Sequence, residues 1–371
     1  MPNSPASAKT PPEILSAYKA YNSALQKNDL KGALKHAKTA WKEAEKSLGD
    51  AKLTGDLAYN YGYLAGRLGE VNAAVNPLIR SADLAHLAKQ DAGLIRLERE
   101  VEVSTILLAI NKRIKAWKRL NRARKFAVEN NIDDSVFAGE LMVLQSRVMA
   151  SKANIVAENS NFPTSQEKVQ SKSAQFSADA LEVFSKHPET SRKSYIANAH
   201  KLIGYSHERN KEWRQALLAY QKTMEIQKTF RDFNDRSYMT TIGRWINVRT
   251  HFMHDISWEE AKIQGLCECW PYHQESNIKA IPIERIAPKM PREAQTSGFS
   301  IIKFDLDDAG NVINSEILQS WPKKIYDKPS IRALKKWKYE TKQDGKDGAQ
   351  RTGIVVPITY VLTGYLTGDP V

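Results

Sequence analysis

The chain has 371 residues, 42% of them hydrophobic and 26% charged, with a net charge of +13. That length suggests two domains, and the apolar residues suffice for a sizeable core. There is no run of eighteen apolar residues, which argues against a transmembrane helix, and two cysteines cannot make a disulfide framework.

Residues 1–12 (MPNSPASAKTPP) are small, polar and Pro-rich and read as a disordered leader. No apolar segment follows Met1, so no signal peptide is expected in this sequence. From about residue 13 to 230, Gly and Pro are sparse and Ala, Leu, Lys and Glu dominate, which predicts helices. Small residues recur there. One unit carries Ala58, Tyr61, Gly62, Ala65, Gly69, Ala74, Leu78 and Ala82, and another carries Gly204, Lys211, Ala216, Tyr220 and Thr223. Weaker units carry Ala33, Ala37 and Ala40, then Ala116, Leu120 and Ala123, then Ala174, Ala178 and Leu181. The markers Ala33, Ala74, Ala116, Ala174 and Ala216 lie 41, 42, 58 and 42 residues apart. The pattern resembles the tetratricopeptide repeat, in which small residues let the two helices of a hairpin pack closely.

Five helical hairpins stacked into an α-solenoid are therefore expected, each helix about a turn longer than the repeat's usual 34-residue period requires. The 58-residue interval holds an insertion, which the polar stretch Asn159–Thr164 with Pro163 locates. In this repeat the first helix of each hairpin lines a groove. Counting from the markers puts Tyr18, Asn22, Tyr59, Tyr63, Arg67, Lys201, Tyr205 and Arg209 there, residue types suited to capturing a peptide or protein. Residues 231–277 read as capping helices, Tyr238–Phe252 and Trp258–Leu266, followed by a short polar linker.

The segment 278–365 changes character. Ile302, Phe304 and Leu306 alternate with Ile301, Lys303 and Asp305, the period of a half-buried strand. Asp308-Ala309-Gly310-Asn311 is turn chemistry, and residues 312–320 return as a second strand. Asp327 and Pro329 open a helix whose Ile331, Ala333, Leu334 and Trp337 share a face. Gly345 and Gly348 sit in a charged loop, and Ile354–Leu362 is rich in β-branched residues and reads as a strand. Residues 366–371 form a tail.

Pieces of this segment resemble the C-terminal domain of TonB energy-transducing proteins. They are Pro291 and Ala294, Gly298, Lys303-Phe304-Asp305, Asp308-x-Gly310-x-Val312, Ile317-Leu318, Tyr326-Asp327, Ala333-x-x-x-Trp337-Lys338-Tyr339-Glu340 and Val356-Pro357-Ile358-Thr359-Tyr360. The family usually has an aromatic residue where this chain has Met290. The resemblance implies a small β-β-α-β domain after the solenoid. It implies a periplasmic protein whose signal has been removed, working in TonB-dependent transport. It also implies an edge strand, Ile354, Val355, Val356, Pro357, Ile358, Thr359 and Tyr360, that accepts the TonB-box peptide of an outer-membrane receptor. A partner of the ExbB–ExbD kind, or another envelope protein, would meet the solenoid. The alternative is a periplasmic scaffold that reuses the fold without transducing force.

Charge is uneven. Residues from Ile278 onward hold fifteen Lys and Arg against eleven Asp and Glu, leaving +4 there and +9 in the helical part. One dense run is Lys112, Arg113, Lys115, Lys118, Arg119, Arg122, Arg124 and Lys125, read as a solvated helix face. No nucleic-acid-binding signature accompanies it, so no nucleic-acid partner is expected. Cys267, Cys269, His251, His254 and His273 match no metal motif, and neither a metal nor a cofactor is expected. There is no catalytic motif, which predicts a protein that is not an enzyme.

Overall fold

The computed structural model describes residues 10–88, 92–151, 166–230, 235–252, 280–294, 298–344 and 349–360. Among the described residues eleven α-helices come first: α1 (Pro12–Gln26), α2 (Leu30–Leu48), α3 (Lys52–Arg67), α4 (Val71–Leu84), α5 (Ala92–Ala109), α6 (Arg113–Glu129), α7 (Val136–Ala150), α8 (Gln166–Lys186), α9 (Lys193–Arg209), α10 (Trp213–Gln227) and α11 (Arg236–Phe252). Then follow β1 (Pro282–Glu284), β2 (Gly298–Leu306), β3 (Val312–Trp321), α12 (Asp327–Leu334), β4 (Lys338–Tyr339) and β5 (Ile354–Tyr360). The architecture is a helical repeat region followed by a small α+β domain. Two compact units divide within α9, between Leu202 and Ile203.

The hairpins are built by one turn used again and again. Asn28, Gly69, Asn111 and Lys211 each adopt positive φ, at 55°, 81°, 60° and 62°. The next residue's N–H then reaches back five residues: Asp29 to Ala24, Glu70 to Ala65, Lys112 to Leu107 and Glu212 to His207, at 2.7–2.9 Å. This left-handed cap satisfies a helix-end carbonyl that would otherwise lack a donor. The marker alanine follows five residues later, and Ala33, Ala74, Ala116 and Ala216 are all fully buried. Small size is what the position demands. A Cβ on Gly62 of α3 would stand 2.7 Å from Leu78 Cγ of α4.

The fourth hairpin departs from the pattern. Ala174 is half-buried and Ala178 exposed, and α7 meets α8 through serines instead. Ser146 Oγ lies 2.9 Å from Ser173 Oγ and 2.7 Å from Ser177 Oγ, all buried. The extra residues of the long interval fall between α7 and α8, and Asn159–Thr164 lies outside the described residues.

In the second unit, β2 is the centre of a three-stranded antiparallel sheet of order β3-β2-β5. Asp307 shapes the β2–β3 turn by accepting from Asn311 N and Nδ2 at 2.7 and 2.8 Å. A two-stranded ladder of β1 with β4, which the sequence pattern did not reveal, lies beside it. One face of the sheet packs on α12 through Ile302, Phe304, Leu306, Tyr326, Leu334 and Trp337.

The other face is closed at one end only: Lys303 is exposed and Asp305 half-buried, as the half-buried pattern predicts, but at Ile301 that expectation is corrected. Phe299 and Ile301 are buried with Tyr238, Met239, Trp245 and Ile246 of α11. The helix expected at Tyr238–Phe252 is thus present as α11, and it covers the sheet. The expected helix Trp258–Leu266, the linker after it, Gly345, Gly348 and the tail 366–371 lie outside the described residues.

Gly310 has φ +78°, and a Cβ there would sit 2.0 Å from the Tyr339 carbonyl oxygen. Gly69 has φ +81° with nothing within 4 Å. Gly69→Ala should therefore cost only the left-handed penalty, about 1–2 kcal/mol. Gly310→Ala adds a backbone collision and should cost more than about 3 kcal/mol. Urea unfolding of the two variants separates these terms, and equal losses would show that the collision relaxes freely.

Candidate functional site at the edge of the sheet

The seven residues from Ile354 to Tyr360 all lie on β5, paired with β2 in the register Ile354↔Phe304 through Tyr360↔Gly298. Two side chains hold the start of β5 in place: Asp305, which sequence reasoning named only as part of the strand and the family motif, and Arg351, which it did not single out. Asp305 Oδ1 accepts from Gly353 N at 2.8 Å, and its Oδ2 accepts from Asn314 Nδ2 at 3.0 Å. Arg351 donates to the Glu340 carbonyl at 2.8 Å and to the Asp307 carbonyl, while its own carbonyl accepts from Leu306 N at 2.7 Å. At the far end the Tyr360 hydroxyl meets Ser330 Oγ at 2.7 Å, and its ring stacks on Tyr326 with centroids 4.2 Å apart.

Both faces of β5 are occupied. Ile354, Val356, Ile358 and Tyr360 join the core with α12, and Val355 packs on the α11 side. The rim is where a further strand could add. Pro357 stands opposite Ile301. In an antiparallel ladder, alternate residue pairs exchange both backbone hydrogen bonds. Proline has no N–H, so its place is a pair that exchanges none, with its backbone turned to the rim. Thr359, two residues on, shares that orientation.

The positions carrying the family resemblance are mostly structural. A Cβ on Gly298 would lie 2.2 Å from the Trp321 carbonyl oxygen and 2.3 Å from the Tyr326 ring. Trp337 is buried, its Nε1 donates to the Ile286 carbonyl at 2.9 Å, and Arg285 lies 5.2 Å from its ring centroid. Tyr339 is buried beside Phe304, and burial pushes its hydroxyl pKa up to about 12. Pro291 turns the chain by accepting from Ala294 N at 3.1 Å. Met290 is exposed, at 41%.

The expected solenoid groove divides. Tyr18 and Tyr63 are exposed, Tyr59 and Asn22 half-buried, and Arg67 exposed. Tyr59 stacks on Tyr63 with centroids 5.5 Å apart, donates to Glu98 at 3.0 Å, and lies under Arg99 at 3.3 Å. Lys201 and Tyr205 are corrections, because both are buried, at 5% and 9%. Counting positions on α9 assumes an open face. Arg244 of α11 instead covers Tyr205 at 4.8 Å, with Arg209 at 5.9 Å, and Lys201 lies one turn away on the same face. Glu208, one turn further along α9, accepts from Tyr220 at 2.5 Å and from Arg244 at 2.9 Å.

Among the described residues no helix is long and apolar enough to cross a membrane, and no cluster of His, Cys, Asp and Glu could hold a metal. Cys267, Cys269, His254 and His273, and the side chain of His251, lie outside the described residues.

Residues 288–362 match the family model of the Gram-negative bacterial TonB protein C-terminal. Over 85 residues the chain is 35% identical to Protein TonB of Salmonella typhimurium, 31% to that of Klebsiella pneumoniae and 33% to that of Escherichia coli. These alignments cover 22% of this chain and 33%, 32% and 33% of the relatives. The chain thus spans about a third of the length of the curated relatives it matches. The TonB-like resemblance of the C-terminal segment is therefore confirmed for that segment.

Solved structures similar to the chain include the apo form of RapI, with TM-score 0.47 at 12% identity over 68% of this chain and 81% of that one. MamA from Desulfovibrio magneticus RS-1 gives 0.39 at 14%, over 60% and 99%. A tetratricopeptide repeat protein from Parabacteroides merdae gives 0.25 at 12%, over 63% and 98%.

Two measurements check this placement of residues. Tyr205→Ala should cost about 3 kcal/mol and reduce thermal stability, whereas Tyr63→Ala should stay within about 0.5 kcal/mol, read by circular dichroism melts. Equal losses would put Tyr63 in the core as well.

Hydrogen bonds, from Gly353 N to Asp305 and from Asn311 to Asp307, hold both carboxyl pKa values below the usual range. A depressed folded-state pKa gives stability that is present above the unfolded value, about 3.9, and is lost as pH falls through the folded value. Between pH 5 and pH 2 the urea midpoint of Asp307→Asn should therefore fall less than that of the unsubstituted protein. An identical fall would remove Asp307 from the acid response.

Proposed function

We propose that the chain is a periplasmic TonB-family protein whose C-terminal domain binds a short extended peptide, the TonB box of an outer-membrane receptor, by adding it as a strand to the β5 rim. The observation that carries this reading is the rim itself. Within a segment that matches the TonB C-terminal family, β5 lies at the end of the sheet order β3-β2-β5, with Pro357 and Thr359 turned outward. An added strand would satisfy outward backbone groups and skip one bond at Pro357. One absent backbone bond is worth about 1 kcal/mol, so binding would be weak and reversible. The helical repeats supply a second protein-binding surface, with the stacked aromatics Tyr18–Tyr21 and Tyr59–Tyr63 as its anchors and an envelope protein of the ExbB–ExbD or another kind as partner.

A second reading is a periplasmic scaffold that uses the same domain without transducing force. It is favoured by one feature. The sheet shares a core with α11, so the domain is fixed to a helical support within its unit rather than carried on a free linker.

Amide labelling of the full chain selective for threonine, phenylalanine and leucine tests the binding mode. Titration with a TonB-box peptide should shift the Thr359 amide more than the Phe304 amide on β2. Largest shifts around Leu334 on α12, or none at millimolar peptide, would sink strand addition under both readings.

A further inference from the structure

The cationic run on α6 is resolved by the structure into spent and unspent charges. Arg119 is spent: its guanidinium makes a two-pronged contact with Glu100 at 2.7 and 2.9 Å and reaches Asp83 at 3.3 Å. Arg124 lies 5.0 Å from the Phe176 ring and donates to Gln145 at 3.4 Å. Lys125 reaches Glu129 at 3.6 Å.

Of the other five, Lys112 and Arg113 sit at the start of the helix, and Lys115, Lys118 and Arg122 form a stripe along it. These last three follow one another at three- and four-residue spacing, so they share one face of α6 over about 10 Å, and all three are exposed. Among the described residues none has an acidic partner. Arg122 only donates Nε to the Lys118 carbonyl at 3.3 Å.

Arg122 also lines a cleft of about 270 Å³ with Ala82, Asp83 and His86, at the end of α4 and the turn after it, Arg96 and Glu100 of α5, and Arg119 of α6. Arg96 is the other unspent cation there. Its guanidinium carbon lies over the Phe126 ring, 4.2 Å from the centroid, and no carboxylate among the described residues meets it. A cation over a ring face is attracted to it while its N–H donors stay available. Two arginines without acidic partners among the described residues thus converge on a single concavity.

We propose that this cleft binds an acidic protein segment, with carboxylates of neighbouring Asp or Glu residues taken by Arg96 and Arg122. Lys115 and Lys118 on the adjoining face raise the encounter rate by long-range attraction. The carboxylates Asp83 and Glu100 in the same cleft decide between anion classes. A polymer with a phosphate at every step would be driven against them. A peptide places its few carboxylates on the two arginines and offers backbone N–H groups to Asp83 and Glu100. The short stripe also falls below the six to ten phosphate contacts typical of a DNA-binding surface. The site lies in the first unit and stands independently of strand addition at β5.

The test uses the full chain and a fluorescein-labelled hexaglutamate peptide, followed by anisotropy at low ionic strength. Arg96→Gln combined with Arg122→Gln should weaken binding about tenfold or more, the value of one lost charge-assisted bond. The control Lys31→Gln with Lys35→Gln removes equal charge from exposed positions on α2 and should change it less than about twofold. Arg122→Gln alone, at an exposed site, gives the same reading at smaller amplitude where the double variant loses helicity. Equal weakening by both pairs, or no hexaglutamate binding at 1 mM, would overturn the site. So would a single-stranded oligonucleotide, or vesicles of anionic lipid, binding more tightly than hexaglutamate and losing tenfold on the same arginine substitutions.

Discussion

The second unit depends on one contact, the seating of α11 on the face of the sheet. Phe299 and Ile301 project from β2 opposite Ile302 and Phe304, so the central strand is apolar on both sides. Each such side chain contributes about 1.5–3 kcal/mol when removed from water. A three-stranded sheet with two apolar residues bare on its second face would be an aggregation hazard as well as a loss of stability. Trp245 and Ile246 on α11, both about 1% exposed, close that face. Gly243 lets the helix approach, since even a Cβ there would be 3.3 Å from the Phe299 ring. The chain has therefore recruited a helix to do for the domain what a solvent-facing polar row does in an isolated half-buried sheet.

That contact also explains where sequence reasoning worked and where it failed. The repeat was legible because its signal is local. It was read from small residues such as Ala33, Ala74 and Ala116, and the structure adds a second local signal that the reading did not use, a residue of positive φ five positions earlier at Asn28, Gly69 and Asn111. Lys211 is the exception that a pattern search for Gly or Asn passes over, because nothing in a lysine announces a left-handed backbone. The β2–β3 turn and α12 were legible for the same reason, because Gly310 and Pro329 act on their own neighbours, although the side chain that holds the turn is Asp307 and not the Asp308 of the sequence reading.

What failed was long-range. Whether Ile301 faces water or a helix depends on residues about sixty positions away, and period-two alternation with Lys303 gave the wrong answer. Tyr205 looked like a groove residue because a helix face carries no mark of what will cover it. The charges of α5 show the same blindness. In the stretch Glu98 to Glu102, charged residues predict a solvent face, yet Arg99, Glu100 and Glu102 are each less than 10% exposed. Their partners come from elsewhere: Arg119 on Glu100, and Arg192 on Glu102 at 2.8 Å and on the fully buried Glu140. Burial pushes the Glu140 carboxyl up while Arg192 pulls it back. Such pairs fix which helices meet more than they stabilise the fold, since burying each charge forfeits its hydration.

The edge strand combines both kinds of information, and this bears on how it could work. Pro357 is readable from sequence as a residue that no central strand tolerates, but the firmness of its position comes from distant groups. Asp305 anchors the strand's first turn, Arg351 ties it to the β4 end, and Tyr360 is clamped between Tyr326 and Ser330. β5 is thus held along its length by side chains that do not use its rim. A strand that must accept and release a partner has to keep its own geometry in both states; otherwise each release would include the disorder of the acceptor. Because the bonds that order β5 belong to β2, α12 and the turn at Asp307, a peptide added at Thr359 under the proposed strand addition would change only the rim. The free energy of that exchange would then depend on the few backbone bonds the peptide makes, with the gap at Pro357 limiting how many those are.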